Sequence, residues 1–236
     1  MLKLSDVFNE LSYGELAHHF IGGKPTDGIA AEHWPEIISH INHGLTALYS
    51  RFPLKYCEAI IQQYEDIQTY YLRSKYAMSN QNSTSPVRYI MDSEFEPFTD
   101  NVIQIDSVYS EFGEKRTLND ETDIYTVYTP QYDAIVKPYN CKDNAMAVVY
   151  KANHDRIKFD GVTPANEIEI DIPIILLEPL LFFITSRILN GMGGANVQEA
   201  SMFTNKYELS CMQISNLGLI NKESLSNYKL ENNGWV

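Results

Sequence analysis

The chain has 236 residues, and its 18 Lys and Arg stand against 31 Asp and Glu, a formal net charge of -13. So acidic a balance offers no electrostatic grip on phosphate backbones and argues against sequence-specific nucleic-acid binding. The three cysteines, Cys57, Cys141 and Cys211, lie far apart with no CxxC or Cys/His spacing, which argues against a zinc ribbon or a disulfide framework and points to free thiols in a reducing cytosol.

Residues 5 to 20 read as two short helical pieces. Ser5 opens the first, with Val7, Phe8 and Leu11 inward. The capping box Ser12-x-x-Glu15 opens the second, with Leu16 and Phe20 inward, and Gly22 and Gly23 end it. No basic stretch leads into an apolar one here, so no signal peptide is expected. After the turn Lys24 to Gly28, a long helix is expected from about Ala31 to Arg51. Trp34, Ile37, Ile38, Ile41, Leu45, Leu48 and Tyr49 fall on one face of it at 100° per residue. Its other face carries Glu36, His40 and His43, spaced so that one carboxylate and two imidazoles could meet a single metal ion. A solvated or subunit-facing helix side carries such residues routinely, and HExxH order is absent, so neither a metal site nor a cofactor is expected.

Past Phe52 and Pro53 the period changes. Leu54 to Tyr64 and Ile67 to Leu72 read as a hairpin around Glu65 and Asp66, with a helix over 56 to 76 as the alternative. The polar stretch SNQNSTSP at 79 to 86 is a loop. Short β-rich runs follow at Val102 to Ser110, Lys115 to Leu118, Ile124 to Tyr128, Ala134 to Lys137 and Ala145 to Lys151, with a hairpin turn at Glu111 to Glu114. This is a small antiparallel β-domain inserted between helices.

The most apolar run is DIPIILLEPLLFFITSRIL, from Asp171 to Leu189. Asp171 reads as its N-cap, Pro173 sits in its first turn, and Gly191, Gly193 and Gly194 stop it. It is apolar around its circumference, as a core helix is, while Glu178, Pro179 and Arg187 break it too often for a membrane span. Pro179 cannot donate to the Ile175 carbonyl, so a bend is expected there. The stretch 195 to 217 is again amphipathic, with Ala200, Phe203, Tyr207, Cys211 and Ile214 in one sector and Gly218 at its end. Residues 219 to 236 show no period and read as an arm that orders on a neighbour, with Tyr228, Leu230 and Trp235 as candidate interface anchors.

The expected fold is therefore α+β: a helical layer (N-terminal helices, a long helix near 31-51, a core helix 172-190, a helix 195-217) with an inserted antiparallel β-domain and a C-terminal arm. In domain terms, residues 1-218 form one unit, helical in 1-52 and 171-218 and β-rich in 53-170, and 219-236 form the arm. No Gly-rich phosphate loop, GxSxG elbow or supported carboxylate pair is present, so the chain is not expected to be an enzyme. An opposed reading is a metal-dependent hydrolase using Glu36, His40 and His43, with Glu178 as base.

In order along the chain, DVFNELSYGELAHHFIGG, AEHWPEIISHINHGLTALYSRFPL, VIQIDSVYSEFGEKRTLN, AMAVVYKANHDRI and EIEIDIPIILLEPLLFFITSRI resemble the head-tail adaptor, or connector, proteins of tailed bacteriophages. The likeness covers residues 4 to about 217. It implies a homo-oligomeric ring, a dodecamer in the family's manner, seated between the portal protein and the tail or a second ring protein. The ring would lie at the head-tail junction of the virion after assembly in the host cytoplasm. Genomic DNA would pass through it unbound, and no catalytic or cofactor residue carries over. Another virion ring or tail-completion protein is the nearest alternative.

Overall fold

The computed structural model describes residues 2–17, 19, 29, 31–139, 143–158, 163–194 and 196–220. The fold is α+β, with four α-helices among the described residues and antiparallel sheets. In chain order the elements are β1 (Leu2–Lys3), α1 (Leu4–Glu10) running into a π-helical turn (Leu11–Glu15), and a 3-10 turn (Ala31–His33) leading into α2 (Trp34–Arg51). Next come β2 (Tyr56–Gln62), β3 (Thr69–Tyr71), β4 (Ile90–Met91), β5 (Val102–Ser110), β6 (Lys115–Arg116), β7 (Tyr128–Gln131), β8 (Ala134–Val136) and β9 (Ala145–Ala152). The last of the described elements are β10 (Glu169–Ile170), a 3-10 turn (Ile174–Leu176), α3 (Leu177–Met192) and α4 (Asn196–Asn216). They gather into two compact units, one from the described residues of 1–54 and 154–236, the other Lys55–Asn153.

In the first unit α3 lies against both α2 and α4. The stripe of α2 is buried from Ile37 to Tyr49, joined by Asn42 and Gly44, while Trp34 is half-buried with its ring 5.2 Å from Phe8. Asn42 holds the Ile157 peptide from both sides, donating to its carbonyl at 3.0 Å and accepting from its N–H at 2.9 Å. At Gly44 the α2 backbone lies close against side chains of α3. A Cβ there would stand 2.6 Å from Leu180 Cδ1, closer than real Cβ atoms come, and a tight 3.0 Å from Phe183 Cδ1.

Four local expectations are corrected here. Ser12 does not cap a second helix: its hydroxyl donates back to the Phe8 carbonyl at 2.6 Å, and the helical path continues from α1 through the π-turn to Glu15. Nor does Ser5 open the first piece: Lys3 is the N-cap of α1, and Asp6 in the first turn accepts its N–H at 3.0 Å. Asp171 is not the cap of the core helix. A 3-10 turn intervenes, α3 begins at Leu177 without a side-chain cap, and the Asp171 carbonyl accepts from the Tyr49 hydroxyl. Pro179 thereby falls in the first turn of α3, where a missing N–H breaks no helical bond, and the cause of a bend disappears.

By length and composition Ile174–Met192 could cross a membrane, with a mean hydropathy of 1.5, yet 56% of that window is buried within the protein. Leu180, Ile184 and Leu189 are fully enclosed. A buried leucine contributes roughly 1.5–3 kcal/mol by leaving water. α4 buries Ala200, Phe203, Tyr207, Cys211 and Ile214, setting Phe203 6.1 Å from Phe182 and Tyr207 5.4 Å from Phe183. It closes in a Schellman turn: Leu219 N–H to the Ile214 carbonyl (3.4 Å) and Gly218 N–H to the Ser215 carbonyl (3.1 Å), with Gly218 at φ +62°.

In the second unit the strands form a five-stranded sheet in the order β4-β2-β9-β5-β6 and a three-stranded sheet β3-β8-β7. β9 is central, with Tyr56 opposite Lys151 on one side and Val108 opposite Val148 on the other. Alternation along β2 and β9 sends Ala59, Ile61, Met146, Val148 and Tyr150 into one core with Tyr70 and Tyr89. The expected hairpin between β2 and β3 is absent, as is the alternative helix, because the two strands belong to different sheets. Side chains do the joining instead. The Tyr70 hydroxyl accepts the Tyr64 N–H at 2.8 Å and donates to the Tyr64 carbonyl at 3.2 Å. The Tyr89 hydroxyl does the same for Tyr71, at 2.8 and 3.1 Å. Each phenol thus serves one peptide as a strand neighbour would, and burial raises the Tyr89 hydroxyl's pKa well above its ordinary value.

The expected strand Ile124 to Tyr128 is also corrected. Asp120 accepts the Thr122 N–H (2.9 Å) and Asp123 the Tyr125 N–H (2.8 Å), two Asx turns that hold Ile124 and Tyr125 out of the ladder, and pairing begins only at Val127, which bridges to Leu118. Ile124 is left 73% exposed. The turn expected at 111 to 114 does join β5 to β6, with Gly113 at φ +82°.

Candidate interaction surfaces

α4 has two faces. Opposite its buried seam, Gln198, Met202, Asn205, Leu209, Met212 and Asn216 are all exposed, and the three apolar ones keep 58%, 58% and 52% of their surface in solvent. Only three side chains of this helix carry a full charge, and all three are turned to their own chain. Glu199 meets His19 at 3.4 Å, Glu208 meets Arg51 at 2.6 Å, and the Lys206 ammonium lies over the Phe203 and Phe182 rings at 4.5 and 5.4 Å. The outer strip is thereby uncharged on a chain whose net charge is -13. The signal was present in the sequence as a 4-3-4-3-4 spacing. Its amides hid it from a count of apolar residues.

On α2, Glu36 and His40 approach to 3.9 Å, and His43 is exposed. Burial lowers the His40 pKa, Glu36 opposes that, and Arg187 and His43 add to the lowering. His40 Nδ1 is buried without a hydrogen-bond partner. Among the described residues no three His, Cys, Asp or Glu are arranged to hold a metal ion. Glu178 is exposed in the first turn of α3, where a carboxylate suits the helix N-terminus.

A cleft of about 710 Å³ runs beside β2 in the second unit, bounded by Cys57, Ile60, Met91, Glu96, Phe98 and Tyr150 among others. β4 pairs with β2 only at Ile60 and Ile61, so the cleft follows the stretch of β2 that β4 does not cover. Its Tyr150 hydroxyl contacts the Cys57 thiol and Asn101 (3.3 Å), and burial pushes its pKa up, away from any range useful for proton transfer. No histidine lines it, so the cleft offers shape more than chemistry. Cys57 and Cys211 are free thiols. Cys141 lies outside the described residues, as do Phe20 and the candidate anchors Tyr228, Leu230 and Trp235. No protein-family model matches the chain, and no curated protein matches it.

Proposed function

We propose that the chain is a structural virion protein, the head-to-tail adaptor ring of a tailed bacteriophage, joining the portal to the tail and forming part of the DNA channel. The observation that carries the reading is the ordered set of five resembling segments. In support, those segments fall on separate elements: α1 with its π-turn, α2, the β5–β6 hairpin, β9, and β10 leading into α3. The acidic excess fits a channel past which DNA slides, since repeated copies would repel phosphates. The partners are further copies of the chain in a cyclic ring, about twelve by the family's pattern, with the portal protein on one side and the tail or a second ring on the other. Tyr228, Leu230 and Trp235 of the arm are the proposed anchors. Native mass spectrometry of the chain alone and with its portal protein tests the reading. A ring mass and a portal-ring complex are expected, the complex being lost when residues 219 to 236 are deleted. A chain that neither forms rings nor binds portal rings refutes it. The hydrolase reading has the Glu36–His40 approach in its favour, and stoichiometric metal retained through purification would promote it over the adaptor.

A further inference from the structure

The adaptor reading makes no use of the outward face of α4. We propose that this face pairs with the same face of a second copy, the two α4 helices running antiparallel across a two-fold axis. Gln198, Met202, Asn205, Leu209, Met212 and Asn216 follow one another at steps of four and three residues, the spacing of a coiled-coil seam. At 21 residues α4 is about 30 Å long, and the seam positions from Asn205 to Asn216 occupy its second half. The buried residues of α4 occupy the opposite side, so the seam is free of duties to its own core.

Matching the layers selects the register. With Leu209 set against Met212 of the second copy, Met212 meets Leu209 in return, and Asn205 falls against Asn216 at both ends. An asparagine side chain both donates and accepts, so two facing amides satisfy each other, and a polar pair at a seam position fixes register and copy number. Met202 then lies beside the other copy's closing turn, where Leu219 is 52% exposed. Lys206 comes beside Gln213 and Glu208 beside Ser215, so no like charges meet. Sliding the helices by one heptad, to put Met202 against Met212, sets Leu209 against Asn205 and strands an amide in an apolar layer. It also brings Lys206 against its own copy and Glu208 against its own. A parallel pair matches the layers too, but aligns the helix dipoles head to head where the antiparallel pair opposes them.

The strip is also where two chains of net charge -13 can touch without bringing carboxylates together, because Glu208 is paired with Arg51 and Glu199 stands 3.4 Å from His19, each within its own chain. Such a contact is isologous and closes on itself, unlike the head-to-tail contact from which a ring grows. It is a separate interface and does not rest on the adaptor reading.

Sedimentation and native mass spectrometry of the full chain across a concentration series test the pairing. The expected species has twice the 27.0 kDa chain mass, or an even number of chains if rings also form. Leu209→Glu and, separately, Met212→Lys alter side chains that are exposed within one copy, so each should keep the far-ultraviolet dichroism and lose the pairing. The double variant Asn205→Asp with Asn216→Lys tests orientation: antiparallel helices bring Asp against Lys and stay paired, whereas parallel ones bring like charges together and separate. A monomeric wild type, a dimer indifferent to Leu209→Glu, or a double variant that dissociates overturns the proposal. So does a dimer that is lost on deleting residues 221 to 236 with α4 intact, since the tail would then be the occupant. A ring assembly whose mass is unchanged by Leu209→Glu overturns the pairing and leaves the adaptor reading standing, whereas a dimer that Leu209→Glu separates but that never forms rings does the reverse.

Discussion

Replacing Thr185 by valine should make the protein more stable. Thr185 sits on α3 with no exposed surface, and its hydroxyl oxygen is buried without a hydrogen-bond partner. A helical threonine ordinarily returns its hydroxyl to the carbonyl four residues back. Leaving a buried hydroxyl unpaired costs about 1–3 kcal/mol on the scale of protein substitutions. Valine has the same shape with a methyl in place of the hydroxyl, its helix propensity is close to that of threonine, and a buried methyl adds about 0.8 kcal/mol. Taken together, and allowing for overlap between these terms, the gain is about 1–2 kcal/mol. In a chain of this size that raises Tm by roughly 2–8 °C. Calorimetry or dichroism melts of wild type, Thr185→Val and Thr185→Ala measure it, with a urea midpoint shift at unchanged slope as the cross-check. The alanine variant loses the methyl as well and leaves a cavity, so it should fall below valine by about 1 kcal/mol. A valine variant that melts at or below wild type refutes the reasoning, because it would mean that the hydroxyl is satisfied by a water or a helix carbonyl.

Gly44→Ala should be destabilising by up to about 2 kcal/mol despite a helix-propensity gain of about 1 kcal/mol, since the new Cβ meets Leu180 at 2.6 Å in a packed seam; a urea midpoint above wild type would refute the close approach. Tyr89→Phe leaves the Tyr71 N–H and carbonyl without their phenol and should cost about 1–3 kcal/mol; a variant as stable as wild type in chemical denaturation would contradict the stapling role. His40 has a folded pKa held below 6.5, so the unfolded chain takes up its proton first. Stability should therefore fall as pH drops below about 6.5 and level off beneath the folded pKa. His40→Gln should flatten that part of the Tm-versus-pH curve, and an equally steep curve in the variant assigns the loss elsewhere.

What could be read from the chain depended on how local each determinant is. The five buried positions of α4 were legible because an uninterrupted 3.6-residue period carries them. The strands β5, β8 and β9 were legible because alternation and turn residues bracket them. Pairing was not. β2 and β3 lie close in sequence, and that proximity suggests a hairpin, yet the core residues of β2 find their partners on β9, far along the chain. The start of α3 went astray because Asp171, Pro173 and Pro179 are three competing start signals, and the tertiary contact of Tyr49 with the Asp171 carbonyl decides among them. Of the surface, the Glu36 and His40 approach was legible from i, i+4 spacing, whereas the cleft beside β2 is made by chain segments that only folding brings together.

The chain passes into and out of the second unit at one rung of one ladder: Lys55 accepts the Ala152 N–H at 2.9 Å, and Tyr56 faces Lys151. Tension applied through Leu54 and His154 would therefore meet the β2–β9 bonds one after another, as a zip is opened, because antiparallel ladder bonds lie across the strands. A sheet held this way yields at low force from its neck and unravels toward Gln62, while a pull along the strands from opposite ends would strain all the rungs together. The same neck gives the unit adjacent termini, so Leu54 and His154 could be bridged by a short linker and new ends cut in the exposed turn at Gly113, producing a permuted chain with its ladder intact.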